Sequence, residues 1–209
     1  MSMGEMLVHL WERTPFLLGG YGYNLLIAAL AMAAGTAIGL VVAVARHARA
    51  APLRLAGEVV TSLCRNIPSF VLMFYVAFVF PVEVEWGDTL VQVPLWIKAT
   101  FALIIPVIGF ASDQGGAYLR QKRSGLTDAG AVFVTAWIQY YLIVLMASAT
   151  ASVIGADEVV GRANRVIAVD NSPGFLLLTY SYVCLWFLVS GLGISALVRS
   201  LHSARIADR

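Results

Sequence analysis

The chain has 209 residues, of which 60% are hydrophobic and 12% are charged, and its formal net charge is +2. A soluble domain of this composition could not cover itself with a polar surface, so the soluble class is excluded. The small net charge gives no case for nucleic-acid binding. The long apolar runs lack the alternating polarity of a membrane β-barrel, which leaves membrane-spanning helices and a lipid bilayer as their surroundings.

The first residues differ in composition from the apolar run behind them. Glu5 and Glu12 lie there among Leu7 and Leu10. Because acidic residues occupy the stretch where a cleaved leader would be basic, residues 1–13 are predicted to form an interfacial helix.

The first apolar run, Thr14–Ala45, predicts a span at about residues 21–45, since roughly 20 residues cross the hydrocarbon as a helix. Ala31, Gly35 and Gly39 form a small-x-x-x-small ridge within it. Such a ridge lets two helices approach closely, either within one bundle or between subunits.

The second and third spans are predicted at about residues 60–82 and 95–119. The turn before the second span is basic, with Arg46, His47, Arg49 and Arg54. The turn after it carries Glu83, Glu85 and Asp88 and has no Lys or Arg. Basic turns favour the cytoplasmic side, so the first turn is placed inside and the second outside.

The fourth and fifth spans are predicted at about residues 130–156 and 172–198. Basic clusters follow the third and fifth spans: Arg120, Lys122, Arg123, Arg199, Arg205 and Arg209. Both clusters are placed inside, and parity puts the mixed fourth-to-fifth connection outside. The sequence therefore predicts an all-α integral membrane protein. It is a five-transmembrane-helix bundle in a single domain, residues 1–209, with its amino terminus out and its carboxyl terminus in.

Motifs for catalysis and cofactor binding are absent from the sequence. There is no H-E-x-x-H pair, and neither Lys98 nor Lys122 follows a glycine in a phosphate-binding loop. The run Gly191–Ala196 matches G-x-G-x-x-A but lacks a preceding strand, so Gly191 and Gly193 are interpreted as helix-packing positions. We predict no cofactor, no metal and no catalytic residue, and a membrane enzyme is the least supported class.

Asp113 is the most unusual single residue, because a carboxylate inside an apolar span costs several kcal/mol unless it finds water or a partner. One interpretation is a pathway-lining or gating carboxylate. The other is that the helix ends near Ala111 and Asp113 caps the next segment. Three further polar residues share the candidate pathway role: Gln114, Gln139 and Ser148.

Arg65 raises a similar question at the inner edge of the second span. It can snorkel to the interface or pair with Glu58, which lies two turns earlier on the same helical face. A structural role is favoured over a transport role.

The order of several short motifs resembles permease subunits of polar amino-acid ABC importers, and the five-span bundle resembles type I importer permeases. The motifs are Leu18–Leu26, Arg65-Asn66-Ile67-Pro68 with the aromatic run behind it, Gly116-Ala117-Tyr118-Leu119, and Thr150–Gly155 with Glu158 and Arg162–Ile167. Arg65, Pro68, Tyr118, Gly155 and Glu158 are the motif positions carried over. The resemblance implies a homodimer or heterodimer of permeases in the bacterial cytoplasmic membrane, cytoplasmic ATPases and an external solute-binding protein.

One segment departs from the family it resembles. Permeases of that family carry a Glu-Ala-Ala coupling segment in a long loop after the third span, whereas residues 123–130 here run almost directly into the fourth. Two hypotheses follow. The chain is one half of a heteromeric importer whose partner carries the ATPase contact, or it is a permease-derived structural or regulatory subunit without ATP-driven transport of its own.

Overall fold

The computed structural model describes residues 2–87, 89–126, 128–169 and 172–207. Its elements in chain order are α1 (Met3–Ala45), α2 (Ala51–Asn66), α3 (Ser69–Val79), β1 (Glu83–Trp86), β2 (Thr89–Gln92), α4 (Leu95–Arg123), α5 (Ala129–Ser148), a 3-10 helix (Ala149–Ile154), α6 (Val159–Ile167) and α7 (Pro173–Ala207). In this part of the chain, four helices are long and apolar enough to cross a membrane, and a fifth crossing results if α2 and α3 form one broken span. The chain is therefore a multi-pass helical membrane protein.

The first helix is continuous over 43 residues, which at 1.5 Å per residue makes it about 65 Å long. Ser2 caps it, and Glu5 bonds back to the Ser2 backbone to complete a capping box. Of residues 1–13, which the sequence predicts to form an interfacial helix, residues 3–13 are the first turns of the continuous helix α1. The helix continues past Arg13 and past Pro15, which removes one backbone hydrogen bond without ending the helix. α1 therefore extends well beyond the roughly 30 Å of a bilayer core.

The centre of the bundle is the parallel contact between α1 and α4. An added Cβ at Gly35 would lie 2.5 Å from Val107 Cβ, and one at Gly39 would lie 2.6 Å from Ala111 Cβ. Only glycine therefore allows this separation of the two helices. The surrounding core is formed by buried apolar side chains of α1, α3, α4 and α5: Ile27, Met32, Met73, Leu103, Val107 and Leu145.

The second predicted span, residues 60–82, is not one straight helix. α2 and α3 meet at an angle of 98°. The cause is Pro68: it has no N–H to donate, and it forces Ile67 into the extended conformation at φ −82°, ψ 125°. α3 has only 11 residues, about 16 Å of helix, so it reaches through only half of a bilayer core by itself.

The acidic connection forms a two-stranded antiparallel hairpin in which Glu83 pairs with Gln92 and Val84 with Val91. Gly87 starts its turn at φ 62°. Beside the hairpin, the buried Lys98 Nζ donates to the carbonyl oxygens of Ala77 at 3.3 Å and Phe80 at 3.0 Å. A cation at these orphan carbonyls stabilises the end of α3.

Helices α5, α6 and α7 also pack against α1. α5 runs antiparallel to α1, with Trp137 Nε1 donating to Thr36 Oγ1 at 2.8 Å. α7 runs parallel to the first half of α1: Thr14 and Tyr182 share a hydrogen bond of 3.0 Å, and Tyr21 donates to Ser190 at 2.6 Å. The apolar side chains of α7 are mostly exposed in the single chain, as suits a surface covered by lipid or by another membrane protein.

Candidate functional site

An ion-pair cluster ties α1, α2 and α4 together at one end of the bundle. Asp113 on α4 accepts from Arg46 Nη1 at 2.8 Å and from Arg65 Nη1 at 2.9 Å. Since α4 continues through Asp113 to Arg123, the alternative in which the helix ends near Ala111 and Asp113 caps a later segment is wrong. Arg65 bonds to Asp113, not to Glu58. Of the two alternatives for Arg65, snorkelling to the interface or pairing with Glu58, the pairing is therefore wrong.

Hydroxyl groups extend the same cluster. Arg46 Nη1 also donates to Ser112 Oγ at 3.2 Å, and the buried Thr61 shares a 2.7 Å hydrogen bond with Ser112. Two glycines allow the segments of this cluster to lie so close together. A Cβ added at Gly57 would lie 2.8 Å from Arg46 Cγ, and a Cβ added at Gly109 would lie 2.8 Å from the Arg65 backbone nitrogen. The cluster carries two guanidinium groups for one carboxylate, so it holds a surplus of positive charge.

A second polar cluster lies at the opposite end of the bundle and is completely buried. Asn24 on α1 donates to Ser148 Oγ at 2.9 Å and to Glu158 Oε2 at 3.0 Å, and it accepts from the Val159 backbone N–H at 3.0 Å. Glu158 also accepts from the backbone N–H groups of Val160 and Gly161, which makes it the N-cap of α6.

Burial raises the pKa of the Glu158 carboxyl, while the hydrogen bonds from Val160, Asn24 and Gly161 act in the opposite direction. The cluster joins three elements through satisfied polar groups inside a membrane protein. It therefore fixes the start of α6 against α1 and the end of α5.

Arg162 fastens α6 to the outside of α1. Its Nη2 donates to Asp157 Oδ2 at 2.7 Å and its Nη1 donates to the Phe16 carbonyl at 2.7 Å, with the guanidinium 4.9 Å from the centre of the Phe16 ring. Arg165 pairs with Asp157 as well. The Arg162 side chain crosses α1 at Gly19, where an added Cβ would collide with the guanidinium.

The connection between α4 and α5 is short, as the sequence indicated. α4 ends at Arg123 and α5 begins at Ala129. Gly125, at φ 78°, makes the turn, and the Leu126 N–H returns to the Gln121 carbonyl at 3.1 Å. The described residues of this turn contain no helix, and two helical turns would require about seven residues.

The four predicted pathway residues do not share one environment. Asp113 and Gln114 are partly buried on α4, Gln139 is exposed on α5, and Ser148 is fully buried in the cluster with Asn24 and Glu158. The structure therefore brings Asp113 together with arginines and Ser148 together with an asparagine and a glutamate, at opposite ends of the bundle.

The motif and packing positions also occupy different settings. Tyr118 lies edge-on to Phe133 at 6.2 Å between ring centres, and Gly155 ends the 3-10 helix at φ 85°. Gly191 and Gly193 have no described atom within 4 Å of an added Cβ. They pack against no neighbour within the described chain, whereas the ridge of Gly35 and Gly39 does.

Sequence reasoning did not assign the polar contacts of several residues, among them Asn24, Arg46, Thr61, Lys98, Ser112 and Arg162. Asn24 interrupts an otherwise apolar run, and a lone amide there was a usable signal because it needs hydrogen-bond partners in lipid. Arg46 was interpreted only as a charge of the inner turn. Within the described residues, no group of three or more His, Cys, Asp or Glu side chains could hold a metal ion.

The chain resembles known proteins both in sequence and in fold. Over 118 residues it is 40% identical to the probable amino-acid ABC transporter permease protein YckA of Bacillus subtilis (strain 168). That match covers 56% of this chain and 46% of YckA, so the chain spans about half the length of the curated relative it matches. No protein-family model matches the chain.

The second resemblance is structural. The chain superimposes on a chain from the crystal structure of an amino acid ABC transporter with histidines, with a TM-score of 0.75 over 95% of this chain and 97% of the other, at 19% identity. At this identity the likeness shows the fold alone. The sequence match confirms the resemblance to amino-acid ABC permeases that the short motifs indicated, and the structural match adds a shared fold.

Proposed function

We propose that this chain is a permease subunit of an amino-acid ABC importer in a bacterial cytoplasmic membrane. The likeness to the Bacillus subtilis permease, 40% identical over 118 residues, carries the proposal. The shared fold supports it independently, because that comparison extends over 95% of the chain.

The proposed topology has five spans, with the broken pair α2 and α3 as the second, the amino terminus outside and the carboxyl terminus inside. The parallel contact of α1 with α4 supports it, since it brings His47 and Arg120 together beside Gly116 at one end of the bundle. Basic residues gather on the cytoplasmic side.

An epitope inserted after Gly87 should be accessible from outside intact cells. A reporter fused after Arg209, which lies outside the described residues, should be cytoplasmic. Labelling at Gly87 only after permeabilisation would overturn this topology.

The proposed assembly is a pair of permease subunits in which the partner carries the ATPase contact. The turn at residues 124–128 supports this division of labour, because it leaves no room for a docking helix. The open glycines Gly191 and Gly193 on α7 offer a place where a second permease could approach closely. A solute-binding protein would deliver substrate from outside.

Among the candidate pathway residues, the exposed surface of Gln139 and the partial exposure of Asp113 and Gln114 suit a path completed by the partner. The complete burial of Ser148 favours a structural role for that residue, although the pathway role was predicted for it too.

Purification in gentle detergent, with identification of the proteins that co-purify, tests the assembly. We expect a second permease and an ATPase. Single cysteines at Gly125 and Asp128 should fail to crosslink to the ATPase, while a cysteine in the coupling loop of the partner should crosslink. Efficient, nucleotide-dependent crosslinks from a cysteine at Gly125 to the ATPase would refute the proposal that this subunit makes no ATPase contact. Co-purification with an unrelated membrane complex would favour the structural or regulatory alternative.

A further inference from the structure

A cavity of about 700 Å³ lies among the end of α3, the exit from the hairpin, the start of α4 and the 3-10 helix. Its walls are mostly apolar, formed by Phe74, Ala77, Phe78, Val153 and Ile154 among others. Sites that hold small organic molecules usually measure about 300–1,000 Å³ and combine apolar walls with a few polar groups.

The polar side chains at this cavity are those of Gln92 and Lys98. Gln92 is already bonded to Glu83 Oε1 at 3.4 Å. Lys98 is only 2% exposed, and its ammonium group donates to two carbonyl oxygens, those of Ala77 and Phe80. An ammonium group has three donors, so one is not accounted for by these contacts.

Lys98 also lacks a counter-ion in the described chain, where no carboxylate oxygen lies within 4.0 Å of its Nζ. Burying a charge without an opposite charge is costly. The start of α4 adds to the positive potential, because Pro94 is its N-cap and supplies no side-chain acceptor for the first N–H groups.

We propose that this cavity binds an anionic amphiphile, with the carboxylate or phosphate group paired to Lys98 and the apolar tail along the walls. An amphiphile fits better than a free inorganic anion because the walls offer a large apolar surface. Phe78 and Val82 at the rim are 82% and 68% exposed, so a tail can continue along the lipid-facing side. The anion is either the headgroup of an anionic phospholipid or a free carboxylate with an apolar tail. This inference does not depend on transport.

The test uses the purified full chain in a neutral detergent and measures its melting temperature during titration with four compounds. They form two pairs matched in tail: decanoate with decanol, and dioctanoyl phosphatidylglycerol with dioctanoyl phosphatidylcholine. We expect at least one anionic compound to raise the melting temperature saturably, with a half-saturating concentration at least tenfold below that of its neutral partner. A response to decanoate alone identifies a free carboxylate, and a response to phosphatidylglycerol alone identifies a lipid headgroup.

Three variants separate binding at this cavity from a general effect of anions. Lys98→Met should abolish the shift, and Val153→Trp should abolish it by filling the cavity from an exposed position while keeping the cation. Lys122→Met, which removes the other lysine on α4, should respond as the wild type does.

The proposal is overturned if neutral and anionic compounds act alike, if neither anion produces a saturable shift, or if Val153→Trp retains the full shift. Lys98 also caps α3, so its Met variant could fail to fold. In that case Lys98→Arg must retain the shift that Val153→Trp loses, and loss of the shift in the Arg variant would count against the proposal.

Discussion

Replacing Asp113 by Asn removes the negative charge that holds Arg46 and Arg65 while keeping the size of the side chain. One carbonyl oxygen remains to accept a hydrogen bond, but the two guanidinium groups are left side by side without their counter-ion. We expect the folded state to lose stability, because both arginines depend on the same carboxylate.

The two arginines differ in exposure, so the pairs Asp113–Arg46 and Asp113–Arg65 contribute unequally to the loss of stability. The Arg46 side chain is 22% exposed and that of Asp113 29%, and a charged hydrogen bond in such a partly buried place contributes about 1.5–3 kcal/mol. The Arg65 side chain is 61% exposed, so its pair with Asp113 contributes only about 0–1 kcal/mol. Asp113→Asn should therefore cost about 2 kcal/mol, most of it through Arg46.

The measurement is thermal unfolding of the purified protein in detergent, where a loss of about 2 kcal/mol lowers the melting temperature by roughly 4–8 °C for a chain of this size. The control is Glu58→Gln, which removes the exposed carboxylate that the sequence suggested as the partner of Arg65 and should cost under about 0.5 kcal/mol. Double-mutant cycles should give a larger coupling of Asp113 with Arg46 than with Arg65. An Asp113→Asn variant as stable as the wild type, or equal losses for Asp113→Asn and Glu58→Gln, would refute the reasoning.

Two further substitutions test the helix contacts and the buried carboxylate. Gly39→Leu should cost about 1–3 kcal/mol by forcing α1 away from Ala111, whereas Gly191→Leu should change the stability of the isolated chain by under about 0.5 kcal/mol; equal effects in unfolding experiments would contradict the observed packing. The pKa of Glu158 is raised in the folded state. The contribution of Glu158 to the stability of the folded protein is therefore complete below its ordinary pKa of about 4.5, and it is lost as the pH rises through the raised pKa. The melting temperature of the wild type should fall more steeply over this window than that of Glu158→Gln, and identical slopes would exclude the shift.

The helical membrane class could be predicted from the sequence because it follows from composition and from the lengths of the apolar runs. Those quantities need no knowledge of which helices touch. The short α4–α5 turn could be predicted for the same reason, since so few residues lie between the two apolar runs that they cannot form two helical turns.

The break in the second span and the length of α1 were harder to predict. Pro68 is evident in the sequence. Hydropathy, however, is averaged over many residues, so one proline changes it little and residues 60–82 have the hydropathy of a single span. Whether a proline kinks, bends or ends a helix in a membrane depends on which neighbours satisfy the freed backbone groups. Here Lys98, which follows Pro68 by 30 residues in the sequence, bonds to carbonyls at the end of α3.

The sequence by itself determined that this chain lies in a membrane as helices, that its basic turns alternate, and that the connection after its third span is short. These properties depend on local composition and on chain length. Only the tertiary structure decided which polar residues meet: Asp113 with two arginines of other helices, Asn24 with Glu158, and Lys98 with the end of α3. Such pairs form between distant segments because each polar group in lipid must find a partner, and the packing of the helices alone decides which partner lies within reach.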